Sequence, residues 1–162
     1  MPDQDPSDRP DSGAIRIIQL GGTFEAFGMV VDYLSRTAPF SEFVLGTLAD
    51  AIRHQLGAGH HFAAMSGTEL VGYAGWLLTS DAIAQAWAES DGPLLRVPAE
   101  QATAAALTTV AVTDPAVTLR LMRGARELNK GKRVYFKRGS EGRGRTPRKT
   151  SVLNFSKARG SK

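Results

Sequence analysis

No cysteine occurs anywhere in the 162 residues. That excludes a disulfide framework, a thiolate nucleophile and Cys-ligated zinc, and it agrees with a reducing compartment. Long apolar runs are also missing: none approaches the roughly 20 residues that a membrane-spanning helix requires. The first 13 residues, MPDQDPSDRPDSG, are acidic and polar, the opposite of a secretory signal, so a soluble cytoplasmic protein is expected. No serine lies in a Gly-x-Ser-x-Gly frame, so a nucleophile elbow is ruled out. Aromatic residues are few at 7%, and the pair Tyr135-Phe136 in a basic strand would point to opposite faces, a weak platform for stacking bases.

Charge is plentiful but segregated. Residues 116–162 carry fifteen Lys/Arg against Glu127 and Glu141, net +13, whereas residues 1–115 carry five against fourteen acids, net −9. A separation of that size directs a basic surface at an anionic partner: nucleic acid, a membrane face or an acidic protein such as acyl carrier protein. Arg120, Arg123, Arg126, Arg133, Lys137 and Arg138 are the partner-binding candidates, since a helix and a strand that converge would let such side chains grip phosphates or carboxylates. Without convergence they serve solubility alone.

Hydrophobic spacing then divides the chain. Residues 1–13, with Pro2, Pro6 and Pro10 and four Asp, read as disordered. Ile15 to Leu20 form a short edge segment. Thr23 caps a helix with Phe24, Phe27, Val30, Val31 and Leu34 as its stripe, and Ser41 is expected to cap a second with Val44, Leu45, Leu48, Ile52 and Leu56 on one face. His60 to Trp76 is a hairpin turning at Ser66-Gly67-Thr68-Glu69. A short helix capped by Ser80 or Asp81 follows and ends at Gly92-Pro93. AALTTVAV at 105–112 is a buried strand, Asp114-Pro115 opens a helix with Val117, Leu119, Leu121, Met122 and Leu128 for packing, KRVYFKR at 132–138 is a strand, and TSVLNF at 150–155 adds a last edge strand. Helices interleaved with strands around a hairpin predict an α+β, mixed three-layer domain over 14–138, followed by a basic Gly/Arg loop and tail over 139–162. This is the order of the acetyltransferase-like (GNAT-like) fold.

Cofactor and metal signals are weak. The histidines are His54, placed by spacing on the exposed side of the second helix, and the adjacent pair His60 and His61. Neighbouring side chains before a strand diverge, and no carboxylate stands at ligand spacing beside them, so no metal is expected; either could face a cleft as a general base. The glycine-rich run RGSEGRGR leads to Thr146-Pro147 instead of a helix, so it makes no phosphate cradle. The turn after AALTTVAV reads TDPAVTLR and lacks the Arg/Gln-x-x-Gly-x-Gly/Ala run that holds the pyrophosphate of coenzyme A in ordinary acetyltransferases; no cofactor is expected.

Over residues 33–138 the chain resembles the RTX toxin-activating lysine acyltransferases, the hemolysin-activating family. Thr37-Ala38-Pro39-Phe40-Ser41-Glu42 matches that family's small-Ser-Pro-Leu-His-Arg segment, Val71-Gly72-Tyr73 and Gly75-Trp76-Leu77 match its central strand, Leu107 to Thr113 match Phe-Ile-Asp-Trp-Ile-Ala-Pro, and Leu121-Met122-Arg123 match its Met-Arg helix. The resemblance implies a GNAT-like fold, an acyl carrier protein donor and transfer of a fatty acyl group to a lysine of a client protein. It places the two catalytic positions at Ser41 and Thr109, where the family has His and Asp, and a cleft beside Tyr73, Trp76 and Thr108. Neither Ser nor Thr titrates near neutrality, so three outcomes compete: an acyltransferase using another base such as His60 or His61, a degenerate scaffold that binds an acyl chain, acyl carrier protein or a client without chemistry, or a misplaced correspondence at these two positions. A non-catalytic assembly factor is the alternative function, nucleic-acid binding through the basic third is another, and a homodimer is compatible with all of them.

Overall fold

A computed structural model describes residues 14–90, 92–138 and 149–153; the acidic N-terminal stretch, Asp91, the basic loop over 139–148 and residues 154–162 lie outside them. Strands β1 (Ile15–Ile18), β2 (His61–Ser66), β3 (Glu69–Thr79), β4 (Ala104–Val112), β5 (Arg133–Arg138) and β6 (Lys149–Leu153) form one sheet in the order β1-β2-β3-β4-β5-β6. All neighbours are antiparallel except β4 and β5, which the crossover helix α4 (Pro115–Leu128) joins in parallel.

Alternation along the strands sets the layers. Ala63 and Tyr73 pack beneath α1 (Phe24–Ser35) and α2 (Leu45–Ala58), while Ala64 and Ala74 meet Val117 and Leu121 of α4. Ala104 and Tyr135 receive α3 (Asp81–Ser90), and Ala105 and Val134 turn toward Ala125 of α4. Three helices therefore cover one face and α4 covers the other, the mixed three-layer GNAT-like architecture expected. Small residues on β4 let α3 and α4 approach the sheet closely.

The helix ends follow local chemistry. Thr23 Oγ1 accepts the Ala26 N–H at 3.1 Å, Ser80 Oγ accepts that of Ile83 at 3.3 Å, and Asp114 Oδ1 that of Ala116 at 2.9 Å. Gly59, left-handed at φ 68°, ends α2, and Gly67 at φ 59° sits in the two-residue β2–β3 turn.

The second helix differs from the expectation at its start. Ser41 lies in a 3-10 turn over Phe40–Glu42, its N–H bonded to the Thr37 carbonyl, and Val44 occupies the cap position with no side-chain bond. Burial of Phe40 pulls the chain into this extra turn before the helix begins. Val44 and Leu45, expected on the buried stripe, are consequently 75% and 67% exposed. Phe24, Leu119 and Leu128 also lie outside the core.

Candidate acyl-binding groove and its polar floor

β4 and β5 stay paired only from Ala104–Arg133 to Leu107–Phe136. At that point β4 carries a bulge: Gly75 pairs with Thr109 and Trp76 with Leu107, leaving Thr108 as the extra residue. Beyond it β5 turns to β6 alone and the two parallel strands part. A groove of about 590 Å³ opens at the parting, lined by Phe40 and Phe43, Trp87 of α3, Leu94, and Leu107 and Val110 of β4. Pro39, Gly92, Thr108 and Lys137 complete it, with the Lys137 Nζ 4.6 Å from the centre of the Trp87 ring. The lining is apolar over most of its length, and the volume falls in the range of small-ligand sites, about 300–1,000 Å³.

The floor of the groove is tied to a buried polar network. In a regular strand Thr108 and Thr109 would face opposite ways; the bulge brings both hydroxyls to the side-chain amide of Gln55, whose Nε2 donates to Thr108 at 3.1 Å and Thr109 at 3.2 Å. The Gln55 Oε1 accepts the Tyr73 hydroxyl at 3.1 Å. Its main-chain carbonyl accepts the His60 N–H at 2.8 Å and the His61 Nδ1–H at 3.0 Å. Gln55 is thus the hub that joins α2 to three strands, and sequence reasoning passed over it. Its position next to Leu56 on a stripe of apolar residues was the only signal available.

The expected site residues fall into two groups. Ser41 is exposed on the turn between Phe40 and Phe43, and Thr109 is buried against Gln55; neither lines the groove, although their neighbours Phe40 and Thr108 do. Tyr73 and Trp76, expected to line the cleft, are instead wholly buried. Burial pushes the Tyr73 phenol well above its ordinary value and keeps it a neutral donor.

His61 is the first residue of β2 and fully buried. Its Nε2 accepts the Leu20 N–H at 2.9 Å, which fixes the proton on Nδ1, and it stacks on Tyr73 at 5.8 Å. Both nitrogens are occupied and burial depresses its pKa, so the expected role as a base does not fit; the ring is structural. His60 stacks on Trp76 at 6.2 Å, and its buried Nδ1 has no hydrogen-bond partner among the described residues; burial, His54, His61 and Lys132 all hold it neutral. His54, expected on the exposed side of α2, is half-buried beside the groove.

The basic residues do not form a single grip. Arg120, Arg123 and Arg126 are exposed on α4, while Arg133 pairs with Asp81 of α3 at 2.8 Å on the other side of the sheet. Lys137 is engaged by Trp87, and the side chain of Arg138 lies outside the described residues. Tyr135 is buried with its hydroxyl donated to Asp81 at 2.7 Å, so the base-stacking pair is not available.

A coenzyme A pyrophosphate would need free N–H groups at the start of α4. There the Asp114 carboxylate already holds the Ala116 N–H, and Pro115 contributes no donor. A fixed carboxylate at that position repels phosphate, so this chain does not fit the usual cradle.

No protein-family model matches the sequence, and no curated protein is significantly similar to it. Solved structures are. A GCN5-related N-acetyltransferase from Kribbella flavida matches 80% of this chain at 19% identity and TM-score 0.52, although the match spans only 31% of that protein. The loading GNATL domain of CurA from Lyngbya majuscula matches 77% of this chain and 65% of its own at 12% identity and TM-score 0.59. A GphF GNAT-like decarboxylase in complex with isobutyryl-CoA matches 78% and 67% at 17% identity and TM-score 0.58. These likenesses define the fold: this chain has the GNAT-like acetyltransferase architecture. Among the described residues, no helix is long and apolar enough to cross a membrane.

Proposed function

We propose that this protein is an acyltransferase that takes a fatty acyl group from acyl carrier protein and delivers it to a lysine amine of a client protein. The observation that carries this reading is the groove at the β4–β5 parting, apolar along its walls and polar at Thr108, which suits an acyl chain ending in a polar thioester. The N-acetyltransferase and isobutyryl-CoA-bound neighbours and the run Thr37 to Glu42 beside the groove support it. Exposed arginines on α4 offer an acidic carrier protein a docking face, and a donor carried by a protein removes the need for a nucleotide cradle.

A second reading, a non-catalytic binding or assembly factor on this scaffold, is favoured by one feature. Ser41, exposed on its turn, and Thr109, whose hydroxyl is held by Gln55, stand where a histidine and an aspartate would do the acid–base work, and neither side chain is a base near neutrality. Transfer of a radiolabelled octanoyl group from octanoyl–acyl carrier protein to Nα-acetyl-lysine amide separates the two. The enzyme reading expects transfer, faster in a Ser41→His, Thr109→Asp double variant. No transfer by either form, with a client retained on purification, favours the binding factor.

A further inference from the structure

A second, smaller recess of about 230 Å³ adjoins the groove and shares Thr108 and Leu94 with it. Asp50 and His54 of α2 form one wall and Arg96 another. Asp50 accepts from Arg96 Nη2 at 3.1 Å, so the recess holds a carboxylate, a guanidinium and an imidazole close together. His54 stands edge-on to His60, ring centres 5.6 Å apart, which fixes its orientation without engaging a nitrogen. Neither of its ring nitrogens makes a hydrogen bond among the described residues. Among the described residues lining groove and recess, the other titratable side chains are Asp50, Arg96 and Lys137, of which the first two pair with each other and the third lies over Trp87.

Thr108 occupies the boundary. Its oxygen accepts the Gln55 amide, so its own O–H is left to donate. The bulge projects this residue between acyl groove and recess.

We infer that the recess is the acceptor-amine site, with His54 as the base that takes the amine proton and Thr108 as a donor to the thioester carbonyl oxygen. This deepens the acyl-transfer reading and rests on it. The amine nitrogen attacks the thioester carbon from the His54 side, and the C–N bond forms. Negative charge on the oxygen is met by the Thr108 hydroxyl. The C–S bond breaks, His54 accepts the proton from nitrogen and passes it to the departing sulfur, and an amide and a thiol result. Burial first and Arg96 second favour neutral His54, and Asp50 opposes them; the net direction is downward, which leaves an unprotonated base at neutral pH. The half-buried position on α2 thus supplies what Ser41 and Thr109 lack.

The octanoyl–acyl carrier protein assay with Nα-acetyl-lysine amide, run from pH 5 to 9 on the full chain, tests this. His54→Gln should lower kcat/KM about 100-fold at pH 8 and abolish the acid limb of the wild-type profile. Thr108→Val should lower kcat with little change in the donor KM. Independently of turnover, the His54 ring resonance should titrate below the ordinary histidine value of about 6.5 and move when Nα-acetyl-lysine amide is added. If wild type transfers and His54→Gln keeps both its rate and its acid limb, the inference fails while the acyl-transfer reading stands. If the His54 resonance titrates at or above the ordinary value and ignores the amine, the inference fails whatever the rates. If wild type transfers nothing, both fail.

Discussion

The side chain of Gln55 occupies the space that a side chain at position 75 would need: a Cβ built on Gly75 falls 2.0 Å from Gln55 Oε1. The glutamine is 1% exposed and bonded to Tyr73, Thr108 and Thr109, so it cannot swing aside as a surface residue would. Gly75→Ala should destabilise the fold by about 3 kcal/mol, read from urea midpoints. Gln55→Ala should relieve part of that cost, giving a coupling of at least about 1 kcal/mol in the double-mutant cycle; additive losses would contradict the contact.

The buried His61 and the half-buried His54 and His60 make stability fall in acid. Burial depresses the folded pKa of His54, His60 and His61, so the unfolded chain binds more protons as pH drops through their ordinary range. Their stabilising effect is complete above about pH 6.5 and is lost below it. Urea titrations from pH 8 to 5 should show this decline. His61→Phe should flatten it and cost about 2 kcal/mol at pH 8 by leaving the Leu20 N–H unpaired.

Asp81 locks α3 onto β5 through Tyr135 at 2.7 Å and Arg133 at 2.8 Å. Tyr135→Phe should cost about 1 kcal/mol and Asp81→Ala slightly more, because the Arg133 pair is half-exposed and contributes little. Since Trp87 reaches the groove from the same helix, Asp81→Ala should also raise the donor KM. Thermal melts and acyl-transfer kinetics on the same samples test the pair.

Filling the groove should discriminate by chain length. Val110→Trp should slow octanoyl transfer about 10-fold, as a side chain's worth of lost apolar burial implies, and leave acetyl transfer nearly unchanged. Equal losses for both donors would place the acyl chain elsewhere.

Most elements were legible because their signals are local. Caps at Thr23, Ser80 and Asp114, the glycine turn at 67 and the strand alternation depend on neighbours a few residues away. Apolar pattern misled where burial competes over distance: Phe40 enters the core and so strands Val44 and Leu45 at the surface. The parallel β4–β5 pairing and the bulge in the β3–β4 ladder have no local mark, since two adjacent threonines look alike whether or not the ladder skips one.

The sequence by itself determined a cysteine-free, charge-segregated α/β chain whose two expected catalytic positions hold Ser41 and Thr109. Only the tertiary structure decided that Thr108 and Thr109 share one amide, that His61 is locked between Leu20 and Gln55, and that His54 faces a recess. The reason is physical. A side chain's environment is fixed by elements far apart in the chain, here α2 laid on β3 and β4, and residue type constrains its chemistry without placing its partners.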